Sequence, residues 1–259
     1  MTNPSVSRDV PSASVLLSPL HSPLHSPSPS PLRVGLMVPA NNTTMETELL
    51  AWLPPGSTCQ TLRIARGPAL LDATTLPTYR AGALELAKSF DRDSLDLIVY
   101  GCTAAGFISG PDADTELGAH IAELTGLPTI TTAQAMVRML TRHAVKRVAL
   151  VTPYLDVVNE RLTAFLAAYD IAVTSLSSFK ARNVDELAAI SSAQVAELTR
   201  QALHTDSDAV FVACSQLPTL EVVRTLAATN AKPLFSSIQV SALLASEMVQ
   251  PGSRKDRQK

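Results

Sequence analysis

Two cysteines stand at matching places in this chain. Cys102 closes the run Leu95-Asp-Leu-Ile-Val-Tyr-Gly-Cys102, and Cys214 closes Ser207-Asp-Ala-Val-Phe-Val-Ala-Cys214, 112 residues later. A thiol with a reference pKa near 8.5 is only a few per cent thiolate at neutral pH, so each must be activated by donors, dipoles or its partner. Two thiols facing each other across a cleft can do acid–base work, one removing a proton while the other returns one. They can also divide the labour as nucleophile and proton donor. Neither scheme needs a cofactor, and the chain has no dinucleotide fingerprint and no phosphate-binding loop. The third cysteine, Cys59, has no counterpart, since Ile171 or Ala172 falls near its position, and it is expected in the core.

The elements that must position these thiols follow from hydrophobic period. Strands are predicted near 33–38, 59–64, 95–101, 128–131, 147–152, 171–175, 208–213 and 233–236. Helices are predicted near 43–52, 75–90, 111–125, 133–143, 155–168, 184–203, 218–228 and 238–248. In the helix at 155–168, Leu155, Val158, Leu162, Phe165 and Leu166 form one apolar stripe. Regular β-α alternation implies parallel sheets covered by helices, an α/β fold. The eight units divide into two sets of four. Arg33-Val-Gly-Leu-Met-Val-Pro39 is echoed by Arg147-Val-Ala-Leu-Val-Thr-Pro153, and Leu127-Pro128-Thr-Ile-Thr-Thr-Ala-Gln134 by Lys232-Pro233-Leu-Phe-Ser-Ser-Ile-Gln239. This internal duplication predicts two pseudosymmetric lobes, 32–144 and 145–250, each a four-stranded parallel sheet flanked by helices, with the site in the cleft between them. Ligands of parallel sheets bind beyond the carboxyl ends of the strands, where both cysteines sit. Pro111 and Pro218 are each suited to open a helix after the loop that follows.

Other groups near those strand ends are candidates for holding an anion. The segment Val38-Pro39-Ala40-Asn41-Asn42-Thr43-Thr44-Met45-Glu46 offers backbone donors and the Asn42 amide, with Thr43 and Glu46 spaced as a capping box. Tyr154 occupies the equivalent place in the second half, a phenol able to reach into the cleft. His120 reads as a surface residue, and His143, after Arg142 at a helix end, as one that suits the dipole there.

Composition limits the alternatives. The chain has 259 residues, is 46% hydrophobic and 17% charged, and carries a formal net charge of −2. That argues against nucleic-acid binding, which needs a basic field. No apolar run approaches the roughly 20 residues of a membrane span. Three separated cysteines make no disulfide framework, and five histidines show no metal-ligand spacing, so no metal or cofactor is expected and a cytoplasmic location is. Residues 1–31, with seven prolines among serines, read as a disordered tail, and 251–259 as a frayed one.

The motifs Val-Pro-x-Asn-Asn-Thr-Thr-Met-Glu-Thr-Glu (38–48), Tyr-Gly-Cys (100–102), Val-Thr-Pro-Tyr (151–154) and Cys-Ser-Gln-Leu-Pro-Thr-Leu (214–220) resemble the maleate cis-trans isomerase branch of the aspartate/glutamate racemase superfamily. The resemblance covers about 33 to 250. It implies a cofactor-free site between two α/β lobes, in which Cys102 adds to the alkene carbon of maleate and gives a succinyl-cysteine. Cys214 would then be the acid/base partner, with Asn42, Thr43, Thr103, Ala104, Tyr154, Asn183 and Ser215 binding the substrate. The segment Thr103-Ala-Ala-Gly-Phe107 is closer to arylmalonate decarboxylases, as is Val158-Asn-Glu-Arg-Leu-Thr-Ala-Phe-Leu166. Those decarboxylases carry glycine where this chain has Cys102, and two thiols favour isomerisation or racemisation. The expected function is therefore maleate-to-fumarate isomerisation by a homo-oligomer, a dimer or tetramer, acting on a small carboxylate. The alternatives are decarboxylation of a disubstituted malonate, racemisation of an amino acid or hydantoin, and non-catalytic carboxylate binding.

Overall fold

The computed structural model describes residues 30–249. The expected terminal tails lie outside the described residues, apart from the junction at 30–31.

Eight strands and ten helices follow one another in β-α order. The first half comprises β1 (Arg33–Pro39), α1 (Met45–Trp52), β2 (Thr58–Ile64), α2 (Leu76–Ala87), β3 (Leu97–Tyr100), α3 (Thr103–Ser109), α4 (Pro111–Thr125), β4 (Thr129–Thr131) and α5 (Thr132–Arg142). The second comprises β5 (Arg147–Thr152), α6 (Asp156–Ala167), β6 (Ala172–Ser178), α7 (Val184–Ala188), α8 (Ser192–Leu203), β7 (Ala209–Val212), α9 (Leu220–Thr229), β8 (Leu234–Ser236) and α10 (Ser237–Met248). Each half forms a four-stranded, wholly parallel sheet, in the order β2-β1-β3-β4 and β6-β5-β7-β8. Identical strand orders are what the duplicated motifs demand. The central strands are buried on both faces, which is why Leu97–Tyr100 and Ala209–Val212 are unbroken apolar runs rather than alternating ones.

Three local expectations are corrected. The span 184–203 is two helices, because Ser191 and Gln194 form a reciprocal capping box that starts α8 afresh. Leu155 precedes α6 and is 37% exposed, so the apolar stripe begins at Val158 and continues through Leu162, Phe165 and Leu166. The loop expected between Cys102 and Pro111 is largely the helix α3. It has no equivalent after Cys214, where turns lead to α9, so the halves differ just where they meet the site.

The lobes are joined by packing and by polar clamps. Helix α5 packs on α10, α1 on α10, and α3 on α6. Glu48 of α1 reaches across to the start of α9, where its carboxylate accepts from the Thr219 N–H at 2.8 Å and from the Thr219 hydroxyl at 2.9 Å. Burial pushes the Glu48 carboxyl up, and the Leu220 and Thr219 donors oppose this. Arg224 donates to the Ala51 carbonyl at 3.1 Å and lies over the Trp52 ring.

Candidate active site

Cys102 lies two residues past β3 and Cys214 two residues past β7, so both thiols leave the carboxyl end of a central strand. Both are buried, and both line one narrow cavity of about 30 Å³ between the lobes, with Asn42, Arg66, Thr103, Ala104, Tyr154, Ser215 and Gln216. The backbone brings them there because Gly101 lets Cys102 pass close behind α1. A methyl group on Gly101 would stand 2.5 Å from the Met45 sulfur and 2.9 Å from the Met37 carbonyl oxygen.

Cys102 is the residue before the first turn of α3, so its thiol stands at the end of the helix where the backbone N–H groups lack helical partners. Burial raises its pKa. The Ala105 and Ala104 N–H groups, the Tyr79 hydroxyl and the positive charge of Arg66 pull it back down. The Tyr79 hydroxyl is buried near this thiol and makes no hydrogen bond. Cys214 is raised by burial as well and is stabilised by the Gln216 N–H, 3.4 Å from Sγ, by the Tyr154 hydroxyl and by the Leu217 N–H. A charge on Cys102 raises Cys214 further, so the two sulfurs titrate against each other. Each thiol thus has a phenol and two backbone donors, and the positive charge of Arg66 acts on Cys102 as well. That charge favours a thiolate on Cys102.

The remaining expected residues divide. Thr103 is buried and its hydroxyl has no partner, a donor free for a ligand, and Ala104 and Ser215 also line the cavity. Tyr154 lies against Phe107 of α3 edge-on, ring centroids 5.4 Å apart. Asn42 lines the cavity too, but its side chain is engaged. Its carbonyl oxygen accepts from the Thr44 and Met45 N–H groups at 3.0 Å each, and its amide donates to the Ser215 carbonyl at 3.1 Å and the Ser215 hydroxyl at 3.3 Å. Asn42, not a Thr43–Glu46 capping box, therefore starts α1, and it ties that helix to the residue beside Cys214. Thr43 is exposed and is not in the cavity lining. Asn183 is also outside the lining: its side chain caps α7, accepting from the Asp185 and Glu186 N–H groups at 3.1 and 2.9 Å. Its backbone pairs with Ala69 in an isolated antiparallel bridge, closing one side of the cleft. The Ser215 hydroxyl donates to the Gly101 carbonyl at 2.7 Å, fixing the two cysteine-bearing turns to each other.

Cys59 packs in the core opposite Val34, and burial, with the Glu46 charge, pushes its thiol up to about 12. Two site residues escaped the sequence reading. Arg66 lies two residues past β2, at the same kind of strand end that singled out the cysteines, so the signal was present. Tyr79 is on α2, one turn after the helix begins, and nothing in its spacing marks it.

The family model for arylmalonate decarboxylase matches residues 34–256. The chain belongs to the arylmalonate decarboxylase family. It is 34% identical over 153 residues to the arylmalonate decarboxylase of Bordetella bronchiseptica, an alignment that takes in 58% of this chain and 64% of that protein. It is 29% identical over 224 residues to the maleate isomerase of Nocardia farcinica, covering 81% of this chain and 87% of that one. A solved structure of the Nocardia farcinica maleate cis-trans isomerase, a cysteine-to-serine mutant with a covalently bound succinylcysteine intermediate, superposes with a TM-score of 0.76 at 25% identity, over 85% of this chain and 94% of that one. The chain is thus similar both to an arylmalonate decarboxylase and to maleate isomerases.

Proposed function

We propose that this protein isomerises maleate to fumarate without a cofactor. The observation that carries the reading is the pair of buried thiols on one cavity, each with its own donor set. In the proposed cycle the Cys102 thiolate forms a C–S bond to one alkene carbon, and the π electrons pass to the other carbon, which takes the proton of Cys214. The central bond of the succinyl adduct is now single and rotates. Cys214 then removes the proton, the double bond re-forms in the trans geometry, and Cys102 leaves as thiolate, so no atom is gained or lost. The donors on Cys102 stabilise its charge before addition and after release, and the Thr103 hydroxyl is placed to hold a carboxylate. A protein incubated with maleate and followed by proton NMR should give fumarate, and Cys102→Ala should abolish it. Fumarate production undiminished in that variant refutes the mechanism.

A second reading is favoured by the family match and by the Thr103–Phe107 segment: decarboxylation of a disubstituted malonate, using Cys214 as the proton donor. It predicts carbon dioxide release and retained activity in Cys102→Gly. We also place the protein in the cytoplasm as a homo-oligomer, a dimer or tetramer. Among the described residues no helix is long and apolar enough to cross a membrane. Leu155, 37% exposed, and Val157, 63% exposed, form an apolar spot that a second copy would cover. Light scattering from purified protein tests the assembly.

A further inference from the structure

Among the described residues, several arginines have no ion pair, and Arg66 is the arginine that lines the cavity of the two thiols. Arg33, Arg142, Arg147 and Arg182 each hold a carboxylate at 2.6 to 3.1 Å, whereas among the described residues no carboxylate pairs with Arg66. Its Nη2 donates to the Ala69 carbonyl at 2.7 Å, and its Nε is buried without a partner. The side chain lines the thiol cavity and also a second hollow of about 350 Å³, bordered by Gly67, Thr74, Thr78 and Tyr79. The loop that carries it is pinned to the opposite lobe, because the Val184 N–H donates to the Pro68 carbonyl at 3.1 Å and Ala69 bridges to Asn183. A guanidinium held in place with unspent donors and no counter-ion is costly unless a ligand supplies the anion. A planar carboxylate matches its fork.

We propose that Arg66 binds the second carboxylate of the substrate and so selects dicarboxylates over monocarboxylates. This rests on reading the cleft as the site of a small carboxylate, and it assigns a residue to the far end of that substrate. The near carboxylate lies against Thr103 and the turn at Ser215, and the far one against Arg66. The second hollow beyond the guanidinium leaves room for a substituent on that side.

The test uses the full chain and two non-reactive probes, succinate and its monoamide succinamate, titrated calorimetrically into wild type, Arg66→Gln and Arg66→Lys. A charge-assisted hydrogen bond contributes enough for roughly a 10- to 100-fold preference. Wild type should bind succinate that much more tightly than succinamate. Arg66→Gln should lose the preference, chiefly by weakening succinate, and Arg66→Lys should keep part of it. Unfolding curves that coincide across the three proteins show that the variants are folded, and Arg66→Lys carries the comparison if Arg66→Gln does not fold. A wild type that does not distinguish the two probes, or an Arg66→Gln that distinguishes them equally well, overturns the inference. Maleate turnover by wild type is measured separately. The probes report on Arg66 whether or not maleate is the substrate, so the two readings fail independently.

Discussion

Asp114 offers a quantitative check on the packing beneath Cys102. It is wholly buried on α4, under α3, and burial pushes its carboxyl from 3.8 up to about 6 despite the Thr131 hydroxyl, which donates to it at 2.7 Å. Its other oxygen has no partner and faces Gly106. A carboxyl whose folded pKa is raised contributes stability that is fully present below its unfolded pKa, near 3.9, and is lost as pH rises through about 6. The shift is about two units at 1.36 kcal/mol each, so ionisation of Asp114 costs roughly 3 kcal/mol at pH 7 compared with pH 4. Asp114→Asn keeps an acceptor for Thr131 and removes the titration. Urea unfolding at pH 4.5, 5.5, 6.5 and 7.5 (pH points chosen about the folded pKa of about 6) should show the variant gaining on wild type as pH rises, by about 2 to 3 kcal/mol across the range. Parallel stability curves would mean that Asp114 titrates normally and that the buried oxygen has an undetected partner.

Further predictions concern the site and its supports. Tyr154→Phe keeps the ring against Phe107 but removes the hydroxyl that stabilises the Cys214 thiolate, so the pH midpoint for iodoacetamide labelling of Cys214, read by peptide mass spectrometry, should rise; an unmoved midpoint refutes the contact. Gly106→Ala places a methyl group 2.5 Å from the Ala133 side chain and 2.6 Å from the Asp114 carboxylate, which should cost about 1 to 3 kcal/mol in urea unfolding and displace Cys102 at the other end of the short helix. Glu48→Ala strands the Thr219 N–H at the lobe interface, leaving the Thr219 hydroxyl only Ser236, and should cost about 1 to 3 kcal/mol, with Glu48→Gln costing less because it retains an acceptor.

Much of this architecture is legible in the sequence because parallel strands must be apolar on both faces and helices on one. The echo of Arg33–Pro39 in Arg147–Pro153 carried the twofold strand order, and with it the meeting of Cys102 and Cys214. The failures have physical causes. Helix α3 is seven residues with a glycine inside, too short to show a 3.6-residue period, and the duplication suggested a loop because the other half has one. The break between α7 and α8 was readable in Ser191 and Gln194 but was outweighed by continuous helical period on both sides. At the site, Asn42 was rightly placed at the cleft. Yet sequence cannot show that its amide is already spent on Ser215, since that contact spans 173 residues. Tyr79 and Arg66 reach the thiol from the second strand-helix unit, a convergence fixed by strand order rather than by any local motif.

The central claim is that Cys102 adds to the substrate while Cys214 moves the proton. The direct measurement is intact-protein and peptide mass spectrometry of Cys214→Ser after brief exposure to maleate. The account predicts one added succinyl group, found on the peptide containing Cys102 and absent when Cys102→Ala is combined with the first change. Wild type that makes fumarate while the adduct forms on Cys214 or on neither cysteine would contradict it.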